Sequence, residues 1–295
     1  MDTNLIEDLV AANRILAEHG VIDAYGHVSL RSPRDPNRFI LARNIAPETV
    51  QAGDLLEYGL DGEPVDAARK GDSVSERYIH SEVYRARPEV MAVVHNHSPS
   101  VVPFSVTGVP MRALFHMAAF VGEGVPNFEI RKVKKGSDLL IRDPKLGAAL
   151  AKTLGAKPAC LMRGHGSVVV GENLLRAVGR SVYLELSARM QMQALLLSRK
   201  ITYLDAGEVK ALNPVQDYKR AWPLWREKAL ARAQADRHST AAGTPSGGSQ
   251  KAELEFWRAI KDGNDAHDFE LYVQQFPTGV YAALAKRKIA KLRNE

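Results

Sequence analysis

Apolar residues recur at helical spacing at the start of the chain. Leu5, Leu9, Ala12 and Leu16 share one face, and Gly20 stops the run, which predicts an amphipathic helix over residues 1–20. Tyr25 to Leu30 reads as a loop entering a strand, with Phe39 to Ala42 as its partner. Ser75 stands where it can cap a helix from Glu76 to Arg87 that ends at Pro88. Met91 to His95 is apolar enough to be a buried strand. Lys145 to Leu154 predicts a short helix closed by Gly155. Ala159–Met162 and Val168–Val170 read as short strands flanking Arg163-Gly164-His165-Gly166. Leu174 to Ser198 predicts a long helix with Leu174, Val178, Val182 and Leu186 turned inward. Helices alternating with short strands place the class as α/β or α+β.

The pattern changes after Leu230. His238 to Gln250 reads His-Ser-Thr-Ala-Ala-Gly-Thr-Pro-Ser-Gly-Gly-Ser-Gln, too polar to bury a core, and residues 231–250 are expected to be a flexible linker. Helical periodicity returns over 251–295. Leu254, Trp257 and Ile260 form one face, and Phe269, Tyr272 and Phe276 a second. Tyr281, Leu284, Ile289 and Leu292 form a third beyond Pro277-Thr278-Gly279. The expected organisation is a catalytic domain over 1–230, the linker, and a small helical module that either contacts another protein or docks on the main domain.

Composition narrows the function classes. The 295 residues are 45% hydrophobic, ordinary for a globular protein. One cysteine, Cys160, excludes an intramolecular disulfide and a cysteine-based zinc site, and its apolar strand argues against a nucleophile. The first residues, Met-Asp-Thr-Asn, lack a secretory pattern, and no apolar run is long enough to span a bilayer. A cytoplasmic location without membrane attachment is expected. The net charge is +6, but the basic residues are scattered without aromatic interleaving. That pattern favours a small anionic substrate over nucleic acid.

The chemistry concentrates on three histidines. In Val94-His95-Asn96-His97 the two imidazoles alternate on a strand, so they share a face about 7 Å apart along the backbone. His165 sits in a Gly-His-Gly turn, whose glycines permit close approach or positive φ. Three nitrogens with an open position suit a catalytic divalent metal. Glu76 is either a fourth ligand or a general acid or base. His80, one turn on, shares its face and is either a partner of the site or a structural hydrogen-bonding group. No Gly-x-Gly-x-x-Gly, P-loop or Gly-x-Ser-x-Gly motif is present.

Gly26-His27-Val28-Ser29, Ser75-Glu76-Arg77-Tyr78-Ile79-His80, Val94-His95-Asn96-His97 and Arg163-Gly164-His165-Gly166 together resemble the class II aldolase/adducin family over residues 1 to about 225. The resemblance implies a three-layer α/β/α sandwich with a central, mostly antiparallel sheet. It implies one divalent metal per subunit, Zn2+ or Mn2+, on His95, His97 and His165, with Glu76 as acid/base. It also implies a homotetramer in which a neighbouring subunit can complete the site. The chain departs from the sugar-phosphate aldolases. Gly26-His27 stands for their glycine-asparagine, Leu41-Ala42-Arg43-Asn44-Ile45 for their threonine-rich phosphate loop, and Val74-Ser75 for their paired serine. His116 falls at or near their proton-donating tyrosine.

Asp23-Ala24-Tyr25-Gly26-His27-Val28-Ser29 and Val121-Gly122-Glu123-Gly124-Val125-Pro126 look like the decarboxylase branch of the family. That branch acts on 2-hydroxy-3-carboxymuconic semialdehyde and on hydroxylated aromatic dicarboxylates, compounds of aromatic catabolism. The implied reaction is loss of CO2 through a metal-stabilised enolate, with Glu76 or His116 returning the proton. Arg43, His27 and Ser75 are the candidate substrate-binding residues, with a structural polar role as the alternative for Arg43 and His27. Two rival functions stay open: an aldolase cleaving an unphosphorylated hydroxy-keto acid or aldehyde, and a non-catalytic adducin-like scaffold.

Overall fold

The computed structural model describes residues 3–241, 247–277 and 279–294. Two compact units divide the chain, residues 1–233 and 234–295.

The first unit is built on a seven-stranded sheet. Its elements are helix α1 (Thr3–Glu18), strands β1 (His27–Arg31), β2 (Arg38–Ala42) and β3 (Leu55–Gly59), helix α2 (Tyr78–Ala86), strand β4 (Ala92–Asn96) and helix α3 (Val102–Thr107). Strand β5 (Asn127–Phe128), helix α4 (Pro144–Leu154), strands β6 (Ala159–Met162) and β7 (Gly166–Gly171), and helices α5 (Leu174–Leu197), α6 (Ala206–Leu212) and α7 (Trp222–Ala241) follow. The strand order is β3-β2-β1-β4-β7-β6-β5. Every pairing is antiparallel except β5 with β6.

Both faces of the sheet are covered, so the inner strands are apolar at successive positions instead of alternating with polar ones. Leu30, Ile40, Val94 and Val169 pack with residues of α1 and α5 on one face. Phe39, Leu41, Val93, Val168 and Val170 pack with α2 and α4 on the other. This is the expected three-layer sandwich. Cys160 lies in the second of these cores, with its thiol pushed up to about 12 by burial, as expected of an inert cysteine.

Two local expectations are corrected. Ser75 does not cap α2. It is exposed in a turn with Glu76 and Arg77, and the helix begins at Tyr78. The entry is tightened because Ile79 N–H and His80 N–H donate to the carbonyls of Glu76 and Arg77, three residues back. The second correction concerns the linker. Residues 231–241 belong to α7, where Ala229 and Ala233 are buried in the core and the Ala-, Lys-, Arg- and Glu-rich sequence favours a helix. Residues 242–246 lie outside the described residues, and 247–250 open the next helix.

The second unit contains helices α8 (Gly247–Ile260), α9 (Ala266–Gln275) and α10 (Ala282–Asn294). Trp257, Ile260, Phe269, Tyr272, Ala282 and Ala285 form its core, and the Trp257 ring stacks on Tyr281 at 4.8 Å. Asp265 caps α9 by accepting from His267 N–H. Leu284 departs from its expected inward face and is 46% exposed.

Candidate metal centre

The pairing of β1, β4 and β7 places the candidate residues side by side. β4 lies between β1 and β7, with His27 opposite His95 and His95 opposite Val168. His97 follows the last residue of β4, and His165 precedes the first of β7. Two glycines make the β7 turn possible. Gly164 has φ +64°, and a Cβ on Gly166 would lie 2.0 Å from the carbonyl oxygen of Asn96.

Ligand atoms of Glu76, His95, His97 and His165 all lie within 4.8 Å of one another. His95 Nε2 is 3.2 Å from His97 Nε2. Glu76 Oε2 is 3.8 Å from His95 Nε2 and 3.5 Å from His165 Nε2. Each imidazole is pinned through its other nitrogen. His95 Nδ1 meets the Ser167 carbonyl at 3.2 Å, His165 Nδ1 the Leu139 carbonyl at 3.0 Å, and His97 Nδ1 both carboxylate oxygens of Asp23 at 3.1 Å. These acceptors hold the proton on Nδ1, so all three Nε2 lone pairs face the centre. His165 Nε2 is buried with no hydrogen-bond partner among the described residues. Glu76 Oε1 accepts from Ile141 N–H at 2.8 Å, which turns Oε2 inward. Three imidazole nitrogens and one carboxylate oxygen fit a divalent ion such as zinc or manganese.

The electrostatics agree with that donor set. Burial would raise the Glu76 carboxyl, but His165, His95 and the Ile141 N–H together hold it far below its usual value. Burial drives His95 well below the ordinary imidazole range, leaving it neutral, as a metal ligand must be.

The loop after His97 is tied down by a buried carboxylate on α5. Glu185, 1% exposed, accepts from the hydroxyls of Ser98 and Ser100, from Ser100 N–H at 3.0 Å, and from Arg189. Burial would raise its pKa, but these donors outweigh that and lower it.

A small cavity lies beside the quartet, lined by Asn13, Tyr25, His27, Arg43, Asn44 and Val74, among others. Two of the expected substrate residues, His27 and Arg43, therefore come together. Arg43 gives its Nε to Asp54 at 2.7 Å, so part of its fork is already engaged. Ser75 is not among the lining residues; Val74 takes that place. The structure also separates His116 from the quartet within one chain. It is exposed, and it lines a different cavity of about 560 Å³ with Met117, Tyr183 and Tyr218.

The sequence reading gave no role to Asp23, Leu139, Ile141, Ser167 or Glu185. Asp23 was present in a quoted motif, but its 74-residue separation from His97 hides the contact. Three of the others act through backbone groups, which carry no side-chain signature.

Comparisons with known proteins agree with this geometry. Residues 7–192 match the Class II Aldolase and Adducin N-terminal domain. Decarboxylase tropJ of Talaromyces stipitatus is 36% identical over 245 residues, covering 75% of this chain and 92% of that protein. The 3,4-dihydroxyphthalate decarboxylase of Arthrobacter keyseri is 26% identical, covering 78% of this chain and 94% of that protein. In fold, the chain is similar to L-fuculose 1-phosphate aldolase from Glaciozyma antarctica PI12, with a TM-score of 0.61 at 23% identity, covering 82% of this chain and 92% of that one. The chain belongs to the class II aldolase and adducin family and is an enzyme of its carbon–carbon lyase kind.

Proposed function

We propose that this protein is a divalent-metal-dependent decarboxylase of a hydroxy-carboxylate from aromatic-compound catabolism, such as a hydroxyphthalate-type acid or 2-hydroxy-3-carboxymuconic semialdehyde. The observation that carries the reading is the convergence of three Nε2 atoms and Glu76 Oε2, with every outer nitrogen already engaged. The similarity to decarboxylases, one of them named for 3,4-dihydroxyphthalate, supports CO2 loss among the reactions such a centre can run.

His95, His97 and His165 would hold the ion, one per subunit, Zn2+ or Mn2+. When bound, it supplies a Lewis acid that offsets the charge developing as the carboxylate leaves. Glu76 Oε2 is held where it can take a proton from the substrate hydroxyl and return it to the carbon that loses CO2. Ile141 N–H keeps that carboxylate from rotating away. His27 and Arg43 line the adjoining cavity and would receive a second substrate carboxylate, Arg43 through the part of its fork that Asp54 leaves open.

His116 enters the reading only through oligomerisation. In a cytoplasmic homotetramer, the exposed His116 of a neighbouring subunit would be the second candidate for proton delivery. The second reading is an aldolase on an unphosphorylated hydroxy-keto acid or aldehyde, favoured by the shared fold. A panel of o-hydroxy dicarboxylates incubated with the protein and each metal separates the two. Release of CO2 is expected, and release of an aldehyde without CO2 would replace this reading with the aldolase.

A further inference from the structure

Behind His27 runs an unbroken line of buried polar side chains that the metal centre does not use. His27 Nδ1 is 2.6 Å from His80 Nε2. His80 Nδ1 is 2.6 Å from Ser29 Oγ, and Ser29 Oγ is 2.7 Å from the hydroxyl of Tyr84. His80 and Ser29 are 0% exposed, Tyr84 1% and His27 5%. The two imidazoles come from β1 and α2, 53 residues apart in sequence.

The direction of the protons along this line follows from its far end. Both imidazoles are buried, and among the described residues neither has a carboxylate within hydrogen-bond distance, so neither ring has a partner for a positive charge. Each ring therefore carries a single N–H. Among the described residues, Tyr84's hydroxyl has one side-chain partner, Ser29 Oγ, and its other neighbour is the backbone N–H of Val93, itself a donor. The phenol proton thus points to Ser29. Ser29 then donates to His80 Nδ1, His80 Nε2–H donates to His27 Nδ1, and His27 carries its own proton on Nε2. The reverse order strands the phenol proton inside the core, whereas this order leaves its one open N–H on His27, a residue that lines a cavity where a bound oxygen can accept it.

His27 Nε2 is buried and has no hydrogen-bond partner among the described residues. It lies on the ring edge away from His80, and His27 lines the cavity with Arg43 and Asn44. Its ring centroid is 5.0 Å from that of His95, which places this cavity next to the metal centre.

We infer that Tyr84, Ser29 and His80 are positioning residues that lock His27 as an Nε2–H donor facing the cavity, where it receives an anionic oxygen of the substrate. A locked donor attracts a carboxylate or phenolate oxygen. It also rejects a ligand that presents a proton there, because two donors would face each other. The role of the donor rests on the carboxylate-binding reading above. The proton order does not.

Neutron diffraction from crystals of the full chain grown in heavy water tests the order directly. Deuterons are expected on His27 Nε2 and His80 Nε2, and on Ser29 Oγ toward His80. Deuterons on His27 Nδ1 and His80 Nδ1 would overturn the inference. Phthalate binding by calorimetry tests the donor. His27→Gln, which keeps an N–H near Nε2, is expected to bind within a few-fold of the parent, whereas His27→Leu loses about tenfold or more. Equal loss in both variants would overturn the donor role. Tyr84→Phe should let both His27 tautomers appear in 15N spectra of histidine-labelled protein. A single unchanged tautomer in that variant would show that the relay does not set it. Phthalate binding that depends on His27, without CO2 release from any hydroxyphthalate, would defeat only the decarboxylase reading.

Discussion

The strand ends around His95 and the C-terminal three-helix unit bury polar groups in opposite ways. In the helical unit, Glu253 is 7% exposed and accepts the Tyr272 hydroxyl at 2.5 Å, inside a cluster that is otherwise aromatic and aliphatic. That pair closes on itself. In the quartet, His95, His97 and His165 are each held by the protein on the Nδ1 edge, and their Nε2 edges converge. A buried polar group that finds its partner within the protein specifies packing. A set of groups pinned on their outer sides and unpaired on their inner sides is built for something that the chain does not itself supply. The same distinction separates Glu185, fully engaged by two serines and an arginine, from Glu76, which keeps one oxygen toward the centre.

Removing a ligand breaks the comparison most severely. His97→Ala and His95→Ala should each abolish stoichiometric metal and turnover, read by elemental analysis and CO2 release. His97, 23% exposed at its side chain, should do so with little change in melting temperature. Full metal content in both variants would remove the quartet from consideration as a metal site.

Glu76→Gln comes next. It keeps the shape and the Ile141 contact but ends proton exchange. A drop of about 10²- to 10⁴-fold in kcat is expected, with metal retained and KM little changed. Metal loss in this variant would make Glu76 a ligand before anything else.

Glu185→Gln tests a satisfied buried carboxylate. It should cost about 2 kcal/mol in chemical denaturation at neutral pH, because hydrogen bonds to a charged acceptor are weakened. Glu185's folded pKa is depressed, so the parent holds this stability above the ordinary carboxylate pKa and loses it as pH falls through the depressed value. The gap between parent and variant should therefore narrow below about pH 4. A gap independent of pH would mean that packing, not charge, is what Glu185 provides.

The smallest effect is expected from the second unit. A chain ending at Ala241, which keeps all of α7, should retain metal content and turnover within about twofold. Loss of activity on truncation would tie the helical unit to the catalytic assembly and erase the contrast between the two regions.

Much of this protein was legible in order along the chain. Helical spacing located α1, α4 and α5, and the apolar run before His95 located β4, because a local pattern decides a local element. The i, i+2 histidines and the Gly-His-Gly turn marked the histidines that the structure gathers into one cluster for a similar reason: the strand period and two glycines fix where those rings go. Helix propensity also lay in the sequence at 231–241, although the polar stretch that begins at His238 overlaps the end of that helix.

Tertiary structure alone decided the rest. It joined Asp23 to His97 across 74 residues, Ile141 to Glu76 across 65, and Ser29 to His80 across 51. It moved His116 away from its own chain's quartet and left Ser75 exposed outside the cavity lining. It also ordered the protons from Tyr84 to His27. A sequence names which side chains can donate and accept. Only the register of β1 against β4, with α2 packed behind them, determines which nitrogen of His27 carries the proton, because that depends on the one acceptor Tyr84 meets at the far end of the line.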